Sequence, residues 1–209
     1  MIENISTREL AVELAKRKNL VSLVNCDGSV DPEIYPLRAI LGAVGTADSI
    51  AVRMEDGKIY GAVIKRKTGR FPNKLALIGG VVYRYEALED AVKRHWKQDL
   101  GLHISLPLGW DHPVCMRQYA PQINGVNRSG FCHDPGKHSY ASTHLVIING
   151  DYTKTSFGTK IGGQEASALL WYAEETAPDE GEWSYDMRST FLELLRTAKQ
   201  LVAGGELRL

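Results

Sequence analysis

The chain has 209 residues, 44% hydrophobic and 24% charged, with 25 basic residues against 25 acidic ones. A chain of this length buries one good core, so a single domain with embellishments is expected. Its neutral balance excludes a broad nucleic-acid surface or a field drawing it to an anionic membrane, and no apolar run approaches the roughly 18 residues that suggest a transmembrane helix.

The start, Met1-Ile2-Glu3-Asn4, carries neither a basic nor an apolar segment and does not read as a secretory signal. Cys26, Cys115 and Cys132 are odd in number and widely spaced, which argues against a disulfide framework and for a reducing, cytoplasmic setting. Ser6-Thr7-Arg8-Glu9 has the form of a capping box, and Leu10, Ala11, Leu14 and Ala15 follow at helical spacing, so a first helix runs to about Lys18. Val21 to Cys26 is strand-like. Residues 1–47 form an N-terminal elaboration.

From Asp48 the pattern sharpens. Ser49 to Met54, the turn signal Asp56-Gly57 and Ile59 to Ile64 predict a β-hairpin. A polar loop, Lys65 to Lys74, leads to a strand, Leu75 to Ile78, which runs into Gly79-Gly80 and on through Val81-Val82-Tyr83. Glu86 to Leu100 is a helix closed by Gly101. Strands follow around Val114 to Tyr119 and His144 to Ile148, separated by a long polar loop from Ala120 to Ser139, a length usually either disordered or functional. Leu169 to Tyr172 is a late strand. The closing helix, Tyr185 to Ala203, places Phe191, Leu194, Leu195, Ala198 and Leu201 on one face. This order suggests an α+β or α/β/α sandwich, a mixed sheet between helices.

On the Glu86–Leu100 helix, Leu88, Ala91, Val92, His95 and Asp99 fall on one stripe, with Gln98 at its edge. The stripe begins apolar and turns polar while still pointing inward. Inward polar groups require partners, so a cleft, a metal or a hydrogen-bond network is implied. The spacing then adds a resemblance. Gly80, Glu86, Arg94, Trp96, Gly101 and Leu102 match the Nudix box: Gly, five residues, Glu, seven residues, Arg-Glu-apolar-any-Glu-Glu-any-Gly-apolar. The departures are His95, Gln98 and the shorter Asp99, where that family places the glutamates that hold Mg²⁺. The resemblance covers residues 48–172, with 173–209 as a terminal helix.

Such a family implies the Nudix fold, extended here by an N-terminal helix, and hydrolysis of a nucleoside diphosphate linked to another group. The depleted box is most similar to the branch of GDP-mannose mannosyl hydrolases, which cleave at the sugar's anomeric carbon. Gly79-Gly80, Lys65-Arg66, Thr143-His144 and Gly163-Gln164-Glu165 before Trp171 carry that likeness. It implies that Asp99, Gln164 and the Gly79 carbonyl hold Mg²⁺, or Mn²⁺ in its place, with Gln98 beside them. Glu165 would be the general base where that branch has a His; Arg66 and Lys65 would meet the diphosphate, and His95 would line the substrate. Glu86 and Arg94 would be structural. The substitution at Glu165 leaves P–O and C–O cleavage both open. A nucleotide-type small molecule is the expected partner, and a homodimer is compatible with this reading. The alternative is a catalytically inactive Nudix module that binds a nucleotide or a partner protein. Cys132, His133, His138 and His144 fit no tight zinc pattern, and His112-Pro113 with the 120–139 loop is a candidate lid. Trp96 and Trp171 read as core.

Overall fold

The computed structural model describes residues 43–122, 131–135, 138–151, 153 and 166–209. The expected helix over 6–18, the strand over 21–26, and Gln164 and Glu165 lie outside the described residues.

The hairpin forms where Asp-Gly demands it. Strand β1 (Val44–Glu55) pairs antiparallel with β2 (Lys58–Arg66), Glu55 opposite Lys58. Asp56 and Gly57 between them have φ of 49° and 74°, the paired positive values of the tight turn that matches strand twist. β1 starts five residues earlier than its alternation suggested, because its first half has other partners. It pairs parallel with β8 (Ser139–Ile148) and antiparallel with β4 (Ile78–Val81). Short β3 (Leu75–Ala76) and β9 (Ala166–Tyr172) flank β2. β5 (Ile104–Ser105) and β6 (Cys115–Ala120) pair with β8, and β7 (Cys132–His133) pairs with β6 inside the long polar loop. The sheet order is β3-β2-β1-β8-β6-β7.

Among the described residues, two α-helices cover the sheet. α1 (Leu88–Leu100) begins two residues later than its sequence pattern suggested, with Glu89 and Asp90 in its first turn, where the helix dipole favours negative charge. It ends at Gly101, whose φ of 70° is the left-handed conformation that a Cβ would penalise. α2 (Met187–Ala203) buries Phe191, Leu194, Leu195 and Ala198. Tyr185 and Asp186 precede it in left-handed conformation, so the helix starts after them.

β1 presents alternate residues to the two helices. Ser49 accepts a 2.8 Å bond from Trp96 Nε1 of α1 and itself donates to the Ile78 carbonyl. Ile50 points to α2, and Gly61 lets that helix close in, since a Cβ there would lie 2.8 Å from the Phe191 ring and 3.0 Å from Ile50 Cδ1. Trp96, Phe191, Ile50, Ile64, Ile78 and Leu100 are among the largest fully buried side chains. Trp96→Phe keeps most of that burial but removes the donor to Ser49. It is expected to lower unfolding stability by about 1–2 kcal/mol, read from urea melts, and a loss under half a kcal/mol would show the bond to be dispensable.

Candidate functional site

The double glycine between β1 and α1 is the geometric centre of the candidate site. Gly79 lies opposite Asp48, and Gly80 opposite Ala47. A Cβ on Gly79 would sit 2.2 Å from the Ala47 carbonyl oxygen and 2.5 Å from Asp48 Oδ1. A Cβ on Gly80 would sit 2.9 Å from His95 Cε1. Two bare α-carbons thus admit two polar groups from opposite faces of the sheet. Asp48 approaches on the α2 face and His95 on the α1 face. Larger residues would close both approaches.

A clamp fixes the segment that follows. Arg94 grips Glu86 through two bonds, Nε to Oε1 at 2.6 Å and Nη2 to Oε2 at 2.8 Å. Nη2 also donates to the Val81 carbonyl at 2.9 Å, and the guanidinium lies 3.8 Å from the Tyr83 ring centroid. Glu86 Oε2 in turn accepts the Tyr83 N–H at 2.8 Å. Bidentate pairing of this kind is among the stronger side-chain bonds and sets direction as well as distance. It explains physically why seven residues separate Glu86 from Arg94: one helix residue holds the loop that leads into the helix.

On α1, His95 and Asp99 are both buried, 3% exposed, as their stripe suggested. His95 Nε2 lies 3.2 Å from the Val81 carbonyl, which accepts and so makes Nε2 the donor in that bond. Gln98 departs from the inward reading. It is exposed, and its Oε1 accepts a long 3.4 Å bond from Arg94 Nη1. The 100° step puts it at the rim of the stripe, and Arg94 one turn back draws it further out.

Arg66 is partly buried below its loop, its Nη2 beneath Gly69 and its guanidinium 5.6 Å from the Tyr185 ring. Lys65 is exposed, and its carbonyl accepts from Ser167. Arg66 pairs across the sheet with Ala166, the residue that follows Gln164 and Glu165 in the chain. Trp96 is core as expected, whereas Trp171 is only partly buried and carries the Arg53 guanidinium 4.4 Å over its ring. Among the described residues no three His, Cys, Asp or Glu side chains gather in a way that could hold a metal, which leaves the sequence-level zinc grouping without support.

Asp48 is the residue that the sequence reading passed over. It is 6% exposed, and its charge adds to the burial that pushes the Cys115 thiol and the Tyr119 hydroxyl above their ordinary pKa values. The signal was present: a carboxylate two residues before Ile50 and four before Val52 shares their inward face. His144, on β8, is also buried, with Nε2 3.1 Å from Ser142 Oγ, and burial pushes its pKa below the usual 6.5. The unfolded chain therefore takes up this proton at higher pH than the folded one. Stability from neutral His144 is complete above pH 6.5 and is lost as pH falls through that value towards the lower folded pKa. Urea unfolding at pH 7.5 and 5.5 is expected to show a smaller drop in His144→Asn than in the parent. Equal drops would assign the pH dependence elsewhere.

No protein-family profile matches the chain, and no curated protein sequence matches it. Solved structures do. A protein described as a possible asymmetric diadenosine tetraphosphate hydrolase from Jonesia denitrificans superposes with TM-score 0.58 at 23% identity, covering 81% of this chain and 99% of that one. The Ap4A hydrolase of C. elegans gives 0.53 at 17%, covering 78% and 99%. The NUDIX domain of Shewanella oneidensis NrtR, complexed with ADP ribose, gives 0.52 at 14%, covering 81% and 93%. At these identities the likeness establishes the architecture: the chain has the Nudix fold, with a mixed sheet and two α-helices among the described residues.

Proposed function

We propose that the chain is a Nudix-type hydrolase of a nucleoside diphosphate derivative, with nucleotide sugars and dinucleotides as the candidates, dependent on Mg²⁺ or Mn²⁺. The observation that carries this reading is the Gly79–Gly80 pair of β4, tied to α1 by the Glu86–Arg94 clamp and the His95–Val81 contact, with Asp99 buried one turn beyond His95 on the same helix. Neither glycine admits a Cβ without a clash, so the backbone here carries no side chain, and hard cations take oxygen donors such as a backbone carbonyl and a carboxylate. In this reading Asp99, the Gly79 carbonyl and the Gln164 amide hold the cation, with Gln98 able to swing in from the rim. When bound, the cation would offset charge on the diphosphate as the bond breaks.

The chain's own residues do the rest. Glu165 takes the proton of the attacking water, which requires its carboxylate to be ionised near neutral pH. Arg66 and Lys65 meet diphosphate oxygens, and β-sheet pairing of Arg66 with Ala166 supports their closeness to the Glu165 segment. His95, held on the Val81 carbonyl, presents an imidazole ring beside Gly80 where most of the family would place a carboxylate.

A second reading, an inactive Nudix module that binds a nucleotide or a protein, draws on the same residue. His95 is engaged with backbone, and Gln98 points to Arg94. Turnover of a panel of nucleotide sugars and dinucleotides with Mg²⁺ or Mn²⁺, beside Asp99→Ala, separates the two. Nucleoside diphosphate plus free sugar, lost in the variant, would mean cleavage at the anomeric carbon. Nucleoside monophosphate plus sugar phosphate would mean P–O cleavage. Binding without turnover under either metal would leave the second reading standing and end the first.

A further inference from the structure

The turn that joins β4 to α1 carries an aromatic side chain in a place that favours glycine. The Glu86 N–H bonds the Tyr83 carbonyl at 3.2 Å, closing a four-residue turn with Arg84 and Tyr85 at its tip. Tyr85 has φ of +66°, at the third position, where a type II turn takes Gly because a Cβ is strained. Burial does not offset that strain, because Tyr85 is 89% exposed, the most exposed of the large hydrophobic residues described. Its ring meets the Arg84 guanidinium, 4.7 Å from the centroid, on one face. The base of the turn is fixed by the Glu86–Arg94 clamp and by Tyr83 beneath Arg94. A strained, exposed aromatic on a fixed base is a positioned group rather than a slack loop.

We infer that Tyr85, backed by Arg84, is a specificity residue that stacks on a planar base in the part of the ligand distal to the first nucleoside. The inference rests on the nucleoside diphosphate reading above and deepens it. Tyr85 lies five residues from Gly80, within about 17 Å along even a fully extended chain, a reach comparable with a diphosphate that links two nucleosides. The chemistry selects a base over a sugar. A cation on one face of the ring draws electron density away from the other and weakens its attraction for sugar C–H groups. The same polarisation suits an electron-rich purine stacked on the open face.

Two ligands that share the diphosphate and differ in the second base test this by calorimetry, with Ca²⁺ in place of Mg²⁺: P¹,P²-diadenosine diphosphate and ADP-ribose. The parent protein is expected to bind the first about tenfold more tightly, the size of a modest base–aromatic stack. Tyr85→Gly should abolish that preference, leave the ADP-ribose Kd unchanged and raise Tm, since glycine accepts the left-handed turn. Tyr85→Phe should keep the preference. Equal affinities in the parent, or a preference that survives Tyr85→Gly, would overturn the stacking role while leaving the nucleotide reading intact. Failure of both ligands to bind would overturn the nucleotide reading and the stacking role together.

Discussion

Gly79→Ala is expected to cost about 3 kcal/mol or more of unfolding stability, towards the upper end for an overpacked site. The added methyl would lie 2.2 Å from the Ala47 carbonyl oxygen and 2.6 Å from the Asp48 Cα. Both are backbone atoms of the central strand, which is pinned on its other edge by β8. Relief by a side-chain swing is therefore closed, and β4 must separate from β1. The same shift would move the Gly79 carbonyl, so any metal-dependent activity should fall with stability in this variant. Gly80→Ala is expected to be destabilised as well, because its methyl would meet the buried His95 ring 2.9 Å away and Gly80 holds φ of +157°, a conformation L residues rarely adopt. Urea unfolding of Gly79→Ala against the parent checks the first expectation, and a loss under about 1 kcal/mol would show that the Asp48 side of the glycine pair is not tight.

Glu86→Ala is expected to lose about 3 kcal/mol, at the lower end for removing one partner of a largely buried ion pair. Glu86 and Arg94 side chains are only 12% and 16% exposed, and the carboxylate also satisfies the Tyr83 N–H. Removal leaves a guanidinium and an amide without that acceptor. Glu86→Gln retains the shape and one acceptor oxygen, so it should lose about half as much. Arg94→Met in combination should recover part of the loss, because the stranded charge goes with it. A double-mutant cycle without coupling between the two positions would show that the clamp contributes nothing to stability. Because the clamp holds Tyr83 and Val81, ligand affinity is expected to fall in Glu86→Ala even at temperatures where the protein remains folded.

Local chemistry made much of this molecule legible in the sequence. Asp56-Gly57 dictated a hairpin because two successive positive φ values suit these residues. The 3.6-residue stripe identified α1 and α2 and placed His95 and Asp99 inward. The spacing from Gly80 to Leu102 pointed to the Nudix fold before any tertiary contact was in view. The family resemblance implied that Glu86 and Arg94 are structural, and their hydrogen bonds do tie the loop to the helix.

Other features were decided only when distant segments met. β1 is longer than its alternation suggested because β4 and β8 extend it, and strand pairing is a property of partners remote in sequence. Gln98 lies outward because Arg94 draws it there from the rim of the stripe. Arg66 sits under Gly69 beside Tyr185, a packing set by the approach to α2 more than a hundred residues later. Asp48 became a site residue only when Gly79 closed over it, since a carboxylate in a strand has no address until the sheet faces are assigned. Sequence thus determined which elements form and which residues could do the chemistry. Tertiary structure decided which of them meet, because local propensity acts over a few residues while pairing and packing act between segments far apart in the chain.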